Sequence, residues 1–208
     1  MRIGVDKGQQ AGKHETKHNW LKDNGHELLE CPIPVGDYIE ITEKVQSVID
    51  RRGDKLKKMD FMGSVRISVD TKQDLQEVYN NVIGKSHFRF RDECILAQQN
   101  SIKLYILVEH GQGIKSLDDV PKWKNPRISK YEREIRRQFN IPKDADVKAE
   151  ILELRRHGAD IKKPPVSSEQ LAATMRTFEE KYGVQWIFCR KEETGHRIVE
   201  LLGGFTDA

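Results

Sequence analysis

Three side chains in this 208-residue chain have the types and spacing of a hydrolytic centre: Asp37, Asp70 and Lys72. Asp70 and Lys72 close the stretch SVRISVDTK. In a strand, residues i and i+2 point to one face, so this acid and this base project together. Val65, Ile67 and Val69 alternate with them and are expected to face the core. Asp37 follows Gly36 at the start of another strand. If the two strands pair, the two carboxylates approach. At about 4 Å they would repel by roughly 4 kcal/mol at an effective dielectric of 20. A fold keeps such a pair only with a cation between them or a proton on one. Hard oxygen ligands select Mg2+ or Mn2+, so Asp37 and Asp70 are the expected metal ligands. A cation there offsets charge building on a phosphate and activates water, while Lys72 orients that water or stabilises the oxyanion. Acid-x-Lys is common in charged proteins, and a solvated strand end is the plain alternative.

Arg2 to Asp6 alternates as a first strand, His26 to Pro32 is apolar around LLEC and reads as a second, and Tyr38 to Thr42 reads as a third. Between the first two, Lys13 to Asn24 reads as a helix that Gly25 stops. Glu43 to Gly63 is charged and weakly periodic, which predicts a long hairpin insertion. Leu75, Val78 and Val82 mark one helix and Phe90, Cys94 and Ala97 another. KLYILVE, Lys103 to Glu109, is a strand buried on both faces. Glycines and prolines then punctuate the chain to Val166, around a basic helix near Ser129 to Phe139 and a short one over Val147 to Arg156. Ser167 and Gln170 form a capping box for a helix carrying Leu171, Met175, Phe178 and Tyr182. That stripe suits core packing or the face of a homodimer. A strand, VQWIFC, and a last helix ending at Leu202 follow. The fold class predicted is α/β, a mixed central sheet flanked by helices, with a smaller C-terminal α/β segment. Its organisation is a core over 1–112 with an insertion at 43–63, a basic linker over 113–166, and a helix-strand-helix segment over 167–208.

A hydrophobic content of 37% and a charged content of 33% describe a soluble, highly charged globular protein and not a disordered one, and no run of about 20 apolar residues exists for a membrane span. The N-terminal residues hold no apolar signal core, and three scattered cysteines form no CxxC pair. Both fit a reducing cytoplasm. His14 and His18 share a helix face at zinc-ligand spacing, but no further ligand is nearby and a solvated face explains them. A net charge of +3 is too small for binding through the global field, so any nucleic-acid contact must come from local clusters.

Val5-Asp6, then PVGDY over Pro34 to Tyr38, then VDTK over Val69 to Lys72 resemble the XPF-type nuclease domain of the PD-(D/E)XK superfamily, and the later AATMRTFEEKYGVQWIFC and RIVELL resemble its stand-alone bacterial and phage members. That family reads VD-x-R/E, L-P-x-GDY and ERK-x-x-x-D, and ILVE over Ile106 to Glu109 resembles its LLIE strand. The resemblance covers about residues 1–110. It implies a restriction-endonuclease-like fold and a metal-dependent DNA endonuclease, with Asp6 joining Asp37, Asp70 and Lys72 as a site residue. It further implies DNA as partner, branched or single-stranded forms included, and paired nuclease domains. The departures are an Asp at 70 for the family's Glu, Thr71 for Arg, and Gln76 where the last Asp belongs, with Asp74 out of register. They motivate a second hypothesis, a non-catalytic DNA-binding module on a degenerate nuclease fold.

Two clusters could hold DNA. Lys85, Arg89 and Arg91 surround a predicted helix start, where backbone N–H groups favour phosphate. Lys130, Arg133, Arg136 and Arg137 lie on the basic helix, diluted by Glu132 and Glu134. A solvated helix surface is the alternative for each. Trp123 is expected to pin the linker to the core.

Overall fold

In the computed structural model, which describes residues 1–9, 12–111 and 113–203, one six-stranded mixed sheet organises the chain. β1 (Arg2–Asp6) leads through α1 (Glu15–Asp23) to β2 (Glu27–Cys31), which lies parallel to it on the outer edge. β3 (Tyr38–Glu40) pairs antiparallel with β1 on its other side. α2 (Glu43–Arg52) follows, then β4 (Ile67–Lys72), antiparallel to β3 with Tyr38 opposite Val69. The helices α3 (Leu75–Val82) and α4 (His87–Gln99) cross back to β5 (Lys103–Glu109), parallel to β4. α5 (Pro126–Phe139), α6 (Val147–Arg156) and α7 (Ser168–Tyr182) precede β6 (Gln185–Cys189), parallel to β5, and α8 (Thr194–Leu202) ends the described fold. The sheet order is therefore β2-β1-β3-β4-β5-β6. The expected mixed sheet flanked by helices is what forms, and the strand of the C-terminal segment is its last member. Residues 204–208 of that segment lie outside the described residues.

Alternation along β5 builds two cores. Leu104, Ile106 and Val108 join one that α2, α3, α4 and α7 cover, while Tyr105 and Leu107 join another covered by α1 and α8. This corrects the reading of β4. Ile67 and Val69 do share one face, but Val65 belongs to the opposite core, and the face carrying Asp70 and Lys72 is roofed by α4 rather than left to water. The stripe Leu171, Met175, Phe178 and Tyr182 is core, so it is no dimer face, and Trp123 is buried where the chain leaves the sheet.

The hairpin expected over 43–63 is instead α2 and two 3-10 turns. Thr42 caps α2 by accepting from Val45 N, Glu43 stands in the first turn, and Arg51 and Arg52 stand in the last. Only Val45 and Val48 are buried on it, too few to show as a period among the charges. No helix among the described residues is long and apolar enough to cross a membrane.

Candidate active site

The sheet gives Asp37 its place through a glycine. Gly36 has φ +72°, and a Cβ there would stand 2.4 Å from Ser68 Oγ on β4, so no larger residue fits between the two strands. Ser68 Oγ donates to Val35 O at 2.6 Å, and Asp37 N donates to Val69 O at 2.9 Å. Continued by one residue, the β3–β4 register sets Asp37 across from Asp70. The Asp37 carboxylate is then fixed from β4: Oδ2 accepts from Thr71 N at 2.9 Å and from Thr71 Oγ1 at 2.6 Å. No hydrogen bond from the described residues reaches Oδ1.

Asp70 and Lys72 emerge side by side, each about 5% exposed, with Lys72 Nζ 2.5 Å from Asp70 Oδ2 and 5.2 Å from the centre of the Phe90 ring. The contact is ionic rather than an aligned hydrogen bond, and Asp70 Oδ2 has no aligned donor. Burial pushes the Asp70 carboxyl up; Lys72 pulls it back, and Asp37 and Glu93 add to the rise. Burial would lower Lys72, but Asp70, Asp37 and Glu93 outweigh it and hold the ammonium above its ordinary range. The two tendencies compete, because a neutral Asp70 withdraws the main support for the charge on Lys72. The ion pair is the state that the contact favours, since a lone buried ammonium is the costlier outcome.

These groups open into a cleft of about 900 Å³. Glu93 reaches it from α4, its Oε1 accepting from Gly36 N at 2.8 Å. Three carboxylates, Asp37, Asp70 and Glu93, thus face one ammonium. The surplus negative charge, the Asp70 carboxylate beside Lys72 and the open Oδ1 of Asp37 form a donor set that suits a hard cation. Among the described residues no three His, Cys, Asp or Glu side chains gather as a cage. Mg2+ needs none, since it is commonly held by one or two carboxylates, with water and substrate phosphate completing its shell.

The other expected site residues fall in several places. Asp6 lines the cleft, but its carboxylate is occupied: Oδ1 accepts from Ile33 N at 3.0 Å, Oδ2 from Gly8 N at 3.1 Å, and Lys58 Nζ lies 3.3 Å from Oδ1. Asp74 caps α3 by accepting from Glu77 N at 2.8 Å, and Gln76 lines the cleft uncharged. Glu109, at the end of β5, is buried against Lys17 of α1 in an ion pair. The histidines are not a solvated face either: His18 Nε2 lies 2.9 Å from Tyr38 Oη, and His14 lines the cleft.

Of the first basic cluster, Arg89 lines the cleft; Lys85 is exposed and Arg91 pairs with Asp92 over the Phe88 ring. Of the second, Lys130, Arg133 and Arg137 are exposed on α5. Arg136 is spent within the fold, donating to the carbonyls of Pro142 and Ala145.

Thr71, Glu93 and Lys58 are the site-forming residues that sequence reasoning passes over. The hydroxyl of Thr71 was visible only as a departure from the family's Arg. Glu93 comes from a helix whose amphipathic pattern advertises Phe90, Cys94 and Ala97 instead. Lys58 lies in a 3-10 turn of the 43–63 stretch, where the sequence predicts a hairpin.

No protein-family model matches the sequence, and neither does any curated protein. In fold the chain is similar to XPF from Aeropyrum pernix, with a TM-score of 0.50 and 14% identity, over 97% of this chain and 63% of that one. It is equally similar to XPF from Aeropyrum pernix in complex with DNA, at a TM-score of 0.50 and 12% identity, over the same shares. This chain therefore spans less than two thirds of the length of the solved chains it matches. The likeness gives it an XPF-like nuclease fold.

Proposed function

We propose that this chain is a divalent-metal-dependent endodeoxyribonuclease that hydrolyses phosphodiester bonds in DNA, working in the cytoplasm in repair, recombination or the processing of mobile-element or phage DNA. The observation that carries the proposal is the convergence of Asp37 and Asp70 beside Lys72 on an XPF-like sheet. Asp37 and Asp70 would hold Mg2+ or Mn2+, which when bound supplies Lewis acidity toward the scissile phosphate and toward water. Thr71 keeps one Asp37 oxygen engaged and so turns the other to the cleft. Lys72 keeps its proton, because the carboxylates around it outweigh its burial. It orients the attacking water or stabilises the charge that grows on the pentacovalent phosphate. Phe90 under its ammonium holds the side chain in place. Asp6 supports this site by fixing the loops at Gly8 and Ile33.

The test is cleavage of a panel of branched, single-stranded and duplex DNAs with Mg2+, with Mn2+ and with EDTA, using Asp70→Asn as control. Metal-dependent cutting that Asp70→Asn abolishes is expected. No cutting of any substrate with either metal, or cutting that survives in Asp70→Asn, overturns the assignment.

A further inference from the structure

The cleft is a poor magnet for its own substrate. Seven Asp and Glu side chains line it against four Lys and Arg, so without a cation it repels phosphate. The basic charge of the molecule is concentrated elsewhere. Residues 126–163, which hold α5 and α6, carry eleven Lys and Arg against seven Asp and Glu, a net +4. The whole chain is only +3, so the remainder is slightly acidic.

This segment is a separate arm. It has its own small core, centred on Tyr131, Ile135, Val147 and Ile151, distinct from the two cores of the sheet. Asn140, at φ +53°, turns the chain between the helices, and Tyr131 Oη donates to Lys162 O at 2.9 Å to close the arm at its base. Lys130, Arg133 and Arg137 recur at i, i+3 and i+7, which sets them in one stripe turned away from Tyr131 and Ile135. All three are exposed; among the described residues Lys130 makes an ion pair, with Glu134 at 3.9 Å, and Arg133 and Arg137 make none.

The arm is fastened beside the cleft. Arg127 donates to Asn80 Oδ1 at 2.7 Å and stacks over Tyr79, 4.7 Å from the ring centre, while Tyr79 Oη accepts from Val166 N at 3.2 Å. Asn80 itself lines the cleft. Lys124 and Pro126, at the arm's root, line a recess that shares Asp74 and Gln76 with it.

We propose that the α5–α6 arm is a DNA-backbone grip, in which Lys130, Arg133 and Arg137 take the phosphates of duplex flanking the cleft. The proposal rests on DNA being the ligand, as above, but not on cleavage. It is tested on the full chain with a short fluorescent duplex and EDTA present, by anisotropy across a salt series. The variant K130E/R133E/R137E is compared with K22E/K181E/K191E, which makes the same charge change at exposed positions elsewhere. Loss of three phosphate contacts predicts affinity lower by on the order of a hundredfold at 0.15 M salt, and a log–log salt slope shallower by about 2.7. The control variant is expected to change both far less. Circular dichroism melts of both variants check that they are folded; if K130E/R133E/R137E unfolds, Arg133→Gln and Arg137→Gln singly are each expected to flatten the slope by about 0.9. Equal losses in both triple variants, no loss in either, or a wild type that does not bind the duplex overturns the grip. Cleavage of the same duplex in Mg2+ separates the two claims. A wild type that binds through the arm without cutting defeats the nuclease reading alone, and one that cuts and binds regardless of the arm defeats the grip alone.

Discussion

Thr71 gives Asp37 two hydrogen bonds from a single residue, one from its backbone and one from its hydroxyl. Hydrogen bonds to a charged group contribute about 1.5–3 kcal/mol, so Thr71→Val is expected to lower unfolding free energy by that order and to slow cleavage. Thr71→Ser is expected to keep both; denaturant unfolding and cleavage rates on the three proteins check this. The Thr71 hydroxyl and backbone N–H together order the Asp37 carboxylate. At this scale the sequence was informative where strand geometry alone decides the outcome. Asp70 and Lys72 share a face because they are two apart, and Asp37 stands opposite because Gly36 admits no side chain. It was silent about Glu93 and about the occupied state of Asp6, since both depend on which backbone N–H groups approach them in the folded chain.

Among the elements, α1 and β3 meet through His18 and Tyr38. Burial first, and then the neighbouring His14, Lys17 and Lys22, depress the His18 pKa from 6.5 to about 4. The folded state thus holds this imidazole neutral where the unfolded chain would protonate it. Its contribution to stability is intact above pH 6.5 and is lost as pH falls toward 4. His18→Gln is expected to flatten the fall of melting temperature over that window relative to wild type; an unchanged difference between pH 7 and pH 4.5 would contradict it. The elements themselves were legible where a period or a cap was strong, as for β5 and for α7 with its Ser167–Gln170 box. α2 was not legible, because it is held by a Thr42 cap, end charges and two buried valines rather than by an apolar stripe. The burial of β4 on both faces was hidden too, because its alternation looks half-polar until α4 is laid over Asp70 and Lys72.

For the molecule as a whole, the sheet brings an acid-rich cleft and a basic arm together through Asn80 and Arg127, and the nuclease reading depends on the cleft holding a cation. Binding to the folded state alone raises stability by mass action, about 2.7 kcal/mol when the free ion is 100 times its Kd. Millimolar Mg2+ or Mn2+ is therefore expected to raise the melting temperature of wild type and not of Asp37→Asn or Asp70→Asn. A wild type that does not respond would favour a DNA-binding module with a degenerate centre. The order of strands and helices anticipated the mixed sheet, but the chain's division into a nearly neutral body and a basic arm with its own core emerged only from how Tyr131, Ile135, Val147 and Ile151 pack apart from the rest. The most direct test of the central claim is single-turnover cleavage by Lys72→Ala set beside its DNA affinity. The account predicts binding close to wild type and cutting slower by about a hundredfold or more. Cutting at the wild-type rate would contradict it.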